Sequence, residues 1–217
     1  MWCDDFALTV VMAGEGYPGE PVKGSQIKGL DGDLGREIQV FHAGTVVKDG
    51  ALVSNGGRVL NVGDTTWSGN TATTNTRIRF PGGTINRSGT WTDANTFDAY
   101  TYDYSGTNAF NNLGTYDKLG NTTTTMNVAY NNAGTTNVNA GRFTLTGGST
   151  SASAFNVAAG AVLDFNYGTH NLDAASITGA GMTEISGSGS YNFVNLNGGT
   201  MGTALLLSGG NLQGADH

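Results

Sequence analysis

The sequence predicts a mainly β protein, a parallel β-solenoid (β-helix) preceded by a small and mostly antiparallel β segment. Charge density changes along the chain: residues 1–65 carry 5 Lys/Arg and 9 Asp/Glu, whereas the much longer stretch 66–217 carries 5 and 8. Beyond Thr66 the chain is rich in Thr, Asn and Gly, has one proline, Pro81, and shows no helical pattern. A short phrase recurs there with a period of roughly 20 to 25 residues, which is typical of solenoid coils.

The N-terminal segment reads as short strands joined by tight turns. Residues 6–12 form a nearly continuous apolar run, which predicts a strand buried on both faces. From Ile38 onwards, apolar runs alternate with the turns Lys48-Asp49-Gly50 and Asn55-Gly56-Gly57. Asp-Gly and Asn-Gly tolerate the positive φ of tight hairpins, so these turns predict antiparallel pairing.

The recurring phrase opens with an apolar residue and an asparagine. Its copies begin at Ile85, Phe110, Tyr130 and, more loosely, Phe155, so their asparagines are Asn86, Asn111, Asn131 and Asn156. We expect these asparagines to occupy equivalent positions of successive coils. Within each coil, alternation predicts inward side chains at Ile78, Phe80, Met126, Val128, Tyr130, Phe143, Leu145, Ala161, Leu163 and Phe165. The same rule places Arg77, Arg142, Thr144 and Asp164 outside.

Composition argues against several classes of function. The net charge is -7 and the basic residues are scattered, so no nucleic-acid partner is expected. The single cysteine, Cys3, provides no disulfide framework, and His170 has no neighbouring His or Cys that would complete a metal site. No window resembles a membrane span, and the first residues do not resemble a signal peptide.

Two groups in the repeat region are candidate functional residues. Asp93, Asp98 and Asp103 follow one another at equal, short intervals. They are either the paired carboxylates of a glycan hydrolase or lyase or, as we favour, solvated acids at turns and on an outer face. Tyr100, Tyr102 and Tyr104 share one face of a strand. If they are exposed they can stack on sugar rings; if they are interior they form an aromatic ladder, which we favour.

Six short blocks follow one another within residues 4–62: Ala7-Leu8-Thr9-Val10-Val11-Met12-Ala13, Gly16-Tyr17-Pro18-Gly19, Lys23-Gly24, Ile27-Lys28-Gly29-Leu30, Val40-Phe41-His42-Ala43-Gly44-Thr45 and Asn55-Gly56-Gly57-Arg58-Val59-Leu60-Asn61-Val62. In order and spacing they resemble the C-terminal domain of phosphoribosylamine-glycine ligase, an ATP-grasp enzyme of purine biosynthesis. The resemblance implies that Gly56, Gly57 and Arg58 contact a substrate phosphate and that His42 lines a ligand cleft. A hairpin turn and a structurally satisfied histidine are the alternatives, and we favour them.

The same resemblance implies that this sequence lacks the family's ATP-binding and magnesium-binding parts. In the family, the ATP-binding lobes and the magnesium ligands lie upstream of this domain, whereas this sequence begins at Met1. After Val62 the family continues with a Thr-Ala-x-Gly stretch and a helix, and this chain has Gly63-Asp64-Thr65-Thr66-Trp67 instead. Because phosphoryl transfer depends on metal and cations that position the phosphates, we expect no ligation, no catalytic residue and no cofactor here. ATP and magnesium are cofactors of the intact enzymes of this family only.

Residues 66–213 resemble the repeats of bacterial filamentous adhesins and autotransporter passengers, especially residues 155–165 followed by residues 168–172. We therefore divide the chain into a ligase-like segment, 1–62, and a solenoid, 63–217. The expected function is a non-catalytic structural or adhesive solenoid carrying a ligase-domain remnant, by natural fusion or as a chimera. The alternatives are a purine-pathway ligase and a polysaccharide-binding or polysaccharide-cleaving β-helix.

Expected partners are a cell-surface glycan or other solenoid chains, bound through strand faces or open ends. The localisation stays open, because the first resemblance implies the cytoplasm and the second the cell surface.

Overall fold

The computed structural model describes residues 45–48, 51–54, 58–68, 77–81, 83–105 and 107–214. These residues contain strands and no helix. The chain divides into two compact units, residues 1–58 and residues 59–217. In the first unit, β1 (Thr45–Lys48) and β2 (Ala51–Ser54) pair antiparallel, as the Lys48-Asp49-Gly50 turn predicts. The apolar run at 6–12 lies outside the described residues.

The second unit is the predicted parallel solenoid, in which each coil contributes one strand to each of three sheets. Sheet I contains β4 (Thr65–Trp67), β7 (Thr90–Asp93), β10 (Thr115–Lys118), β13 (Thr135–Val138), β16 (Ala154–Val157), β19 (Ser176–Thr178) and β22 (Thr200–Met201). Sheet II contains β5 (Arg77–Pro81), β8 (Ala99–Ser105), β11 (Thr123–Met126), β14 (Arg142–Leu145), β17 (Val162–Phe165), β20 (Met182–Ile185) and β23 (Ala204–Leu207).

Sheet III is divided into two four-stranded groups. The first contains β3 (Arg58–Val62), β6 (Gly83–Arg87), β9 (Ala109–Asn112) and β12 (Ala129–Asn132). The second contains β15 (Ser149–Thr150), β18 (Gly168–Asn171), β21 (Asn192–Leu196) and β24 (Asn211–Gly214). A parallel bridge between Asn132 and Ser151 links the two groups.

The strand register confirms three of the four predicted asparagine positions. Asn86, Asn111 and Asn131 lie opposite one another in consecutive coils of sheet III. The fourth assignment is wrong, because Asn156 lies opposite Asn137 in sheet I. The coil at this point is shorter than the phrase spacing suggests, since Thr136 already pairs with Phe155. The looser phrase therefore falls on the next face of the solenoid.

The core is a continuous column of apolar side chains, as the alternation predicts. All the predicted inward residues are buried except Ile78, which is partly buried and packs against the core. Aromatic rings link successive coils: Trp91 lies 5.1 Å from Phe110 and Tyr116 lies 4.9 Å from Phe143, centroid to centroid. Because each coil covers its neighbours, burial is shared along the whole stack.

Polar side chains also point inward where the chain bends between sheets. Arg87, Asn112 and Asn132 occupy one such corner and stack on each other. Asn112 donates to the Thr135 carbonyl at 2.9 Å, and Asn132 donates to the Ala154 carbonyl at 3.0 Å. Arg87 donates to the carbonyls of Gly89 and Thr115. These carbonyls lie at bends or strand starts, where buried acceptors need partners.

The preference for solvated acids is wrong for Asp93 and correct for its two companions. Asp93 is fully buried, whereas Asp98 and Asp103 are exposed. The Asp93 carboxylate accepts hydrogen bonds from Thr124 Oγ1 at 2.6 Å, Asn95 Nδ2 at 2.8 Å and the Tyr116 hydroxyl at 3.1 Å. Asp93 ends its strand at a corner, so its inward side chain meets donors from two later strand regions rather than water.

Among the described residues, no helix is long and apolar enough to cross a membrane.

Candidate functional site: the outer face of sheet II

The outer face of sheet II combines aromatic, basic, acidic and hydroxyl side chains. Strand register aligns a single outward row across five strands, so side chains far apart in sequence become neighbours along the solenoid. This row contains Tyr100, Thr125, Thr144, Asp164 and Glu184. Neighbouring strands of a sheet are about 4.8 Å apart, so the row spans roughly 20 Å.

Tyrosines occupy the end of this face nearest β5. Tyr102 is 39% exposed and Tyr100 is partly buried, whereas Thr101 between them is fully buried. The preferred interior aromatic ladder is therefore wrong for Tyr100 and Tyr102. The interior of this region already holds Trp91 and Phe110, and among the described side chains of β8 the buried ones are Ala99 and Thr101.

The tyrosine end also carries a basic side chain. Arg77 lies opposite Tyr100 in the register, and its Nη1 is 3.4 Å from the Tyr100 hydroxyl oxygen. Tyr104 belongs to the same strand, β8, and its side chain is outside the described set. An outward tyrosine row is the arrangement that the sugar-stacking alternative requires.

A charged group, here called the Arg142 cluster (Arg142, Asp164 and Glu184), lies further along the same face. Arg142 Nη1 is 2.9 Å from Asp164 Oδ2 and 2.8 Å from Glu184 Oε2, so one guanidinium bridges two adjacent coils. Asp164 points outward as predicted but is only 4% exposed, because Arg142 and the neighbouring strands cover it. A side chain that points away from the core can thus still be buried when side chains of neighbouring coils cover it.

Hydroxyl and amide groups continue the Arg142 cluster on both sides. Ser208 donates to Glu184 Oε1 at 2.6 Å, and Ser186 donates to Asp164 Oδ1 at 2.7 Å. Asn166 donates to the Ser186 hydroxyl at 2.7 Å. Asp164 also accepts from Thr144 Oγ1 at 3.4 Å, so each carboxylate has at least one hydroxyl partner besides the guanidinium, and the outer surface presents a connected polar network.

The network shifts the pKa values of Glu184 and Arg142. The hydrogen bond from Ser208, together with Arg142, holds the pKa of Glu184 below its usual value despite partial burial. Burial lowers the pKa of Arg142, but the bonds to Glu184 and Asp164 outweigh it and raise that pKa. A glycosidase acid needs a raised pKa so that it carries a proton at neutral pH. Glu184 has the opposite environment and does not supply one.

Two open hollows lie at coil corners rather than on this face. One, of about 360 Å³, is beside Asn131 and Ala133, and the other, of about 380 Å³, is beside Leu119 and Thr122. Neither lining contains a titratable side chain. Their walls can pack against a partner, and they bring no acid, base or nucleophile together.

The structure does not test the site residues that the resemblance to the ligase suggests. His42, Gly56 and Gly57 lie outside the described residues, and Arg58 begins β3 without a described side chain. Their suggested roles stay predictions. Among the described residues there is no group of three or more His, Cys, Asp or Glu side chains arranged to hold a metal ion.

Sequence reasoning missed the Arg142 cluster, although a signal was present. Thr144, Asp164 and Glu184 are evenly spaced in the sequence, and each is flanked by inward residues of the core. That spacing equals the coil length in this part of the solenoid, so it aligns the two carboxylates on one outer row. Arg142 precedes Thr144 by one alternation of the strand and therefore shares its face.

Comparison with known proteins finds similarity in the N-terminal part of the chain. The family model described as "Phosphoribosylglycinamide synthetase, C domain" matches residues 7–84. A phosphoribosylamine-glycine ligase of Mesorhizobium japonicum is 62% identical over 61 residues, which is 28% of this chain and 14% of that protein. The corresponding protein of Phenylobacterium zucineum is 56% identical over 63 residues, 29% of this chain and 15% of that protein.

A trifunctional purine biosynthetic protein of Gallus gallus is 56% identical over 63 residues, which are 29% of this chain and 6% of that protein. The chain thus spans about one seventh of the length of the two bacterial relatives and a smaller share of the Gallus gallus protein. No solved structure matches the chain. The family match extends past Val62 into β5 and the beginning of β6. Residues 7–84 are thus similar to the C-terminal domain of phosphoribosylamine-glycine ligases, and the strands from β3 onwards form a β-solenoid.

Proposed function

We propose that this chain is a non-catalytic structural or adhesive β-solenoid that binds its partner, a cell-surface glycan, through the outer face of sheet II. The observation that carries the proposal is the outward row of Tyr100 and Tyr102 on the same face as the Arg142 cluster. Aromatic rings bind the apolar side of a ligand, while hydroxyl, amide and carboxylate groups orient its polar atoms.

The chemistry of the face supports binding without cleavage. The two carboxylates that stand side by side, Asp164 and Glu184, are both tied to Arg142, and the pKa of Glu184 is lowered. Retaining glycosidases place two carboxyl groups roughly 5 Å apart, but they need one of them protonated. We therefore expect no release of reducing ends when the protein is incubated with polysaccharides, and turnover above background would overturn this part of the proposal.

A glycan array probed with the purified chain tests the binding function. We expect selective binding that Tyr102→Ala weakens by about tenfold, since a good aromatic stacking contact contributes roughly 1.4 kcal/mol. The matched control is Leu113→Ala, which removes an exposed apolar side chain at a corner away from sheet II. Binding that is absent, or equally sensitive to both variants, would contradict the role of this face.

A second candidate function is ATP-dependent ligation in purine biosynthesis, and the similarity of residues 7–84 favours it. In that case Gly56, Gly57 and Arg58 would contact a substrate phosphate and His42 would line the cleft, with ATP and magnesium as cofactors. The test is ligation of glycine to phosphoribosylamine with ATP and magnesium. Product above background that Arg58→Ala abolishes would replace the non-catalytic proposal, and no product would support it.

The two functions also differ in location. An adhesive solenoid acts at the cell surface, and a purine ligase acts in the cytoplasm. Protease treatment of intact native cells distinguishes them, because only a surface-exposed solenoid is cleaved without lysis. Net charge of -7 and scattered basic residues favour a neutral ligand over nucleic acid in either compartment.

A further inference from the structure

Tyr167 and Tyr191 form an exposed aromatic pair at the corner that follows sheet II. The two rings are stacked, with centroids 5.9 Å apart and planes inclined by 25°. Tyr167 is 50% exposed and Tyr191 is 61% exposed. They belong to consecutive coils, because Tyr167 follows β17 and precedes β18, and Tyr191 follows β20 and precedes β21.

The backbone beneath the rings is held by hydrogen bonds from both coils. The Gly168 amide donates to the Tyr191 carbonyl at 2.8 Å, which joins the two corners directly. The buried His170 lies with Nε2 3.1 Å from the Tyr167 carbonyl and Nδ1 2.9 Å from the Ser149 hydroxyl. A carbonyl only accepts, so Nε2 carries the proton and the serine hydroxyl donates to Nδ1. The rings therefore stand on a rigid base.

The pair has no role in the apolar core. The core rings, among them Phe155 and Phe165, are fully buried, while Tyr167 and Tyr191 keep half or more of their surface in water. Stacking on each other uses one face of each ring, so much of the exposed area belongs to the remaining faces and edges. Exposed paired aromatic rings on a rigid base are suited to contact with the apolar side of a ligand.

Polar groups of the outer face of sheet II lie beside this pair. Asn166 immediately precedes Tyr167 in the sequence. Its side-chain amide donates a hydrogen bond to the Ser186 hydroxyl, and that hydroxyl donates to Asp164, each at 2.7 Å. Asp164 and Tyr167 are close in sequence, and the chain between them spans about 10 Å when extended. A ligand that covers the rings and extends along the sheet therefore meets an amide, a hydroxyl and the Arg142 cluster within its own length.

The charge of these groups selects among ligands. The cluster contains two carboxylates and one guanidinium, and both carboxylates are bonded to it. Its net negative charge disfavours uronic acids and other anionic sugars, while the half-buried Asn166 amide and Ser186 hydroxyl beside it suit sugar hydroxyls. A pyranose ring offers an apolar face to the tyrosines and hydroxyls to the polar groups. The ligand class that fits both features is a neutral oligosaccharide.

We propose that Tyr167 and Tyr191 bind a sugar ring of a neutral oligosaccharide whose chain extends onto the Arg142 cluster. This inference rests on the proposed glycan-binding function and names a second site for it, distinct from Tyr100 and Tyr102. The site binds by stacking at the corner and by hydrogen bonds along sheet II. It performs no covalent step.

Isothermal titration of the full chain with three neutral hexasaccharides, cellohexaose, maltohexaose and mannohexaose, tests the proposal. We expect at least one to bind, and Tyr191→Ala and Tyr167→Ala to raise its Kd by about tenfold, as loss of one aromatic contact implies. Tyr191→Phe keeps the ring and should bind as the unaltered chain does. A hexamer of galacturonic acid should bind more weakly than the neutral ligand.

Each result bears on the two proposals separately. Loss of affinity in Tyr191→Ala but not in Tyr102→Ala supports the corner site and removes the role of Tyr102. Loss in Tyr102→Ala alone, no binding of any neutral hexasaccharide, or stronger binding of the galacturonate overturns the corner site. Circular dichroism of each variant confirms the strand content, and saturation-transfer difference NMR shows whether the bound sugar contacts aromatic protons.

Discussion

Asn112 and Asn132 occupy the same inward position of consecutive coils, and Nδ2 of Asn112 is 2.8 Å from Oδ1 of Asn132. The same Asn112 accepts a hydrogen bond from Arg87 at 2.9 Å through its Oδ1. Three coils are thus connected through one buried amide. Because the Asn112 amide is buried, water cannot replace these partners. Its hydrogen bonds therefore stabilise the stack of coils.

Replacing Asn112 by alanine should destabilise the solenoid by about 2–4 kcal/mol, because a buried guanidinium and a buried amide lose partners. Urea denaturation followed by circular dichroism measures the change. The matched control is Asn111→Ala in the neighbouring position, where Asn111 donates to Asn86 on the outer surface at 2.7 Å. There we expect a loss of about 0.5–1 kcal/mol, since water can replace the partner. Equal losses would contradict the distinction between the two asparagine ladders.

Gly187 and Gly160 form a second matched pair for mutation to alanine. Both have a positive φ, 79° and 80°. A Cβ on Gly187 would overlap the Asn166 carbonyl of the preceding coil, whereas a Cβ on Gly160 has open space. Gly160→Ala should therefore cost only the backbone strain, about 1–2 kcal/mol. Gly187→Ala should cost a further 1–3 kcal/mol or so for the displaced backbone. Thermal unfolding of both variants checks the order.

Asp93→Ala should be among the more damaging substitutions of an acidic residue, at about 3–5 kcal/mol, because three buried donors lose their acceptor. Asp93→Asn should lose less, since an oxygen remains. Asp98→Ala is the control: Asp98 is exposed and accepts from the Thr123 amide at 2.8 Å. Chemical denaturation that ranks Asp98→Ala above Asp93→Ala would contradict the burial of Asp93.

His170 should make folding sensitive to mild acid. Burial lowers its pKa from 6.5 to about 4, although the Tyr167 carbonyl opposes the shift. The unfolded chain therefore binds the proton first as pH falls. The stabilisation is present above pH 6.5 and is lost progressively toward pH 4, on the order of 3 kcal/mol in all.

Urea denaturation at pH 7, 5.5 and 4.5 measures this loss, and His170→Gln should flatten the dependence over that range. The lowered pKa of Glu184 acts at still lower pH, below about 4.5, so the two effects separate. A variant that keeps the slope of the unaltered chain would show that another group titrates.

Much of the solenoid was predictable from local patterns. Alternation identified inward residues such as Phe143 and Leu163, and the phrase spacing aligned Asn86, Asn111 and Asn131 correctly. Both patterns follow from the alternating faces of a strand and from the coil length. The hairpin of β1 and β2 followed from its Asp-Gly turn.

The errors arise because a pattern within one strand gives neither the length of a coil nor the contacts between coils. Coil length changes at the corners, so the phrase at Asn156 moved to sheet I although its sequence resembles the others. Strand parity gives the direction of a side chain and not its cover, so Asp164 was placed outside but is buried against Arg142. For Asp93, a turn position suggested solvent, whereas the corner turns it toward donors from β10 and β11.

The sequence by itself determined the fold class, the direction of most strand side chains and the similarity of residues 7–84 to a ligase domain, because these depend on neighbours in the chain. The tertiary structure decided which distant residues meet: Arg142 with Asp164 and Glu184, and Tyr167 with Tyr191. Those contacts depend on the register between coils. Register is determined by the summed lengths of three strands and three corners, so the pattern within one strand does not encode it.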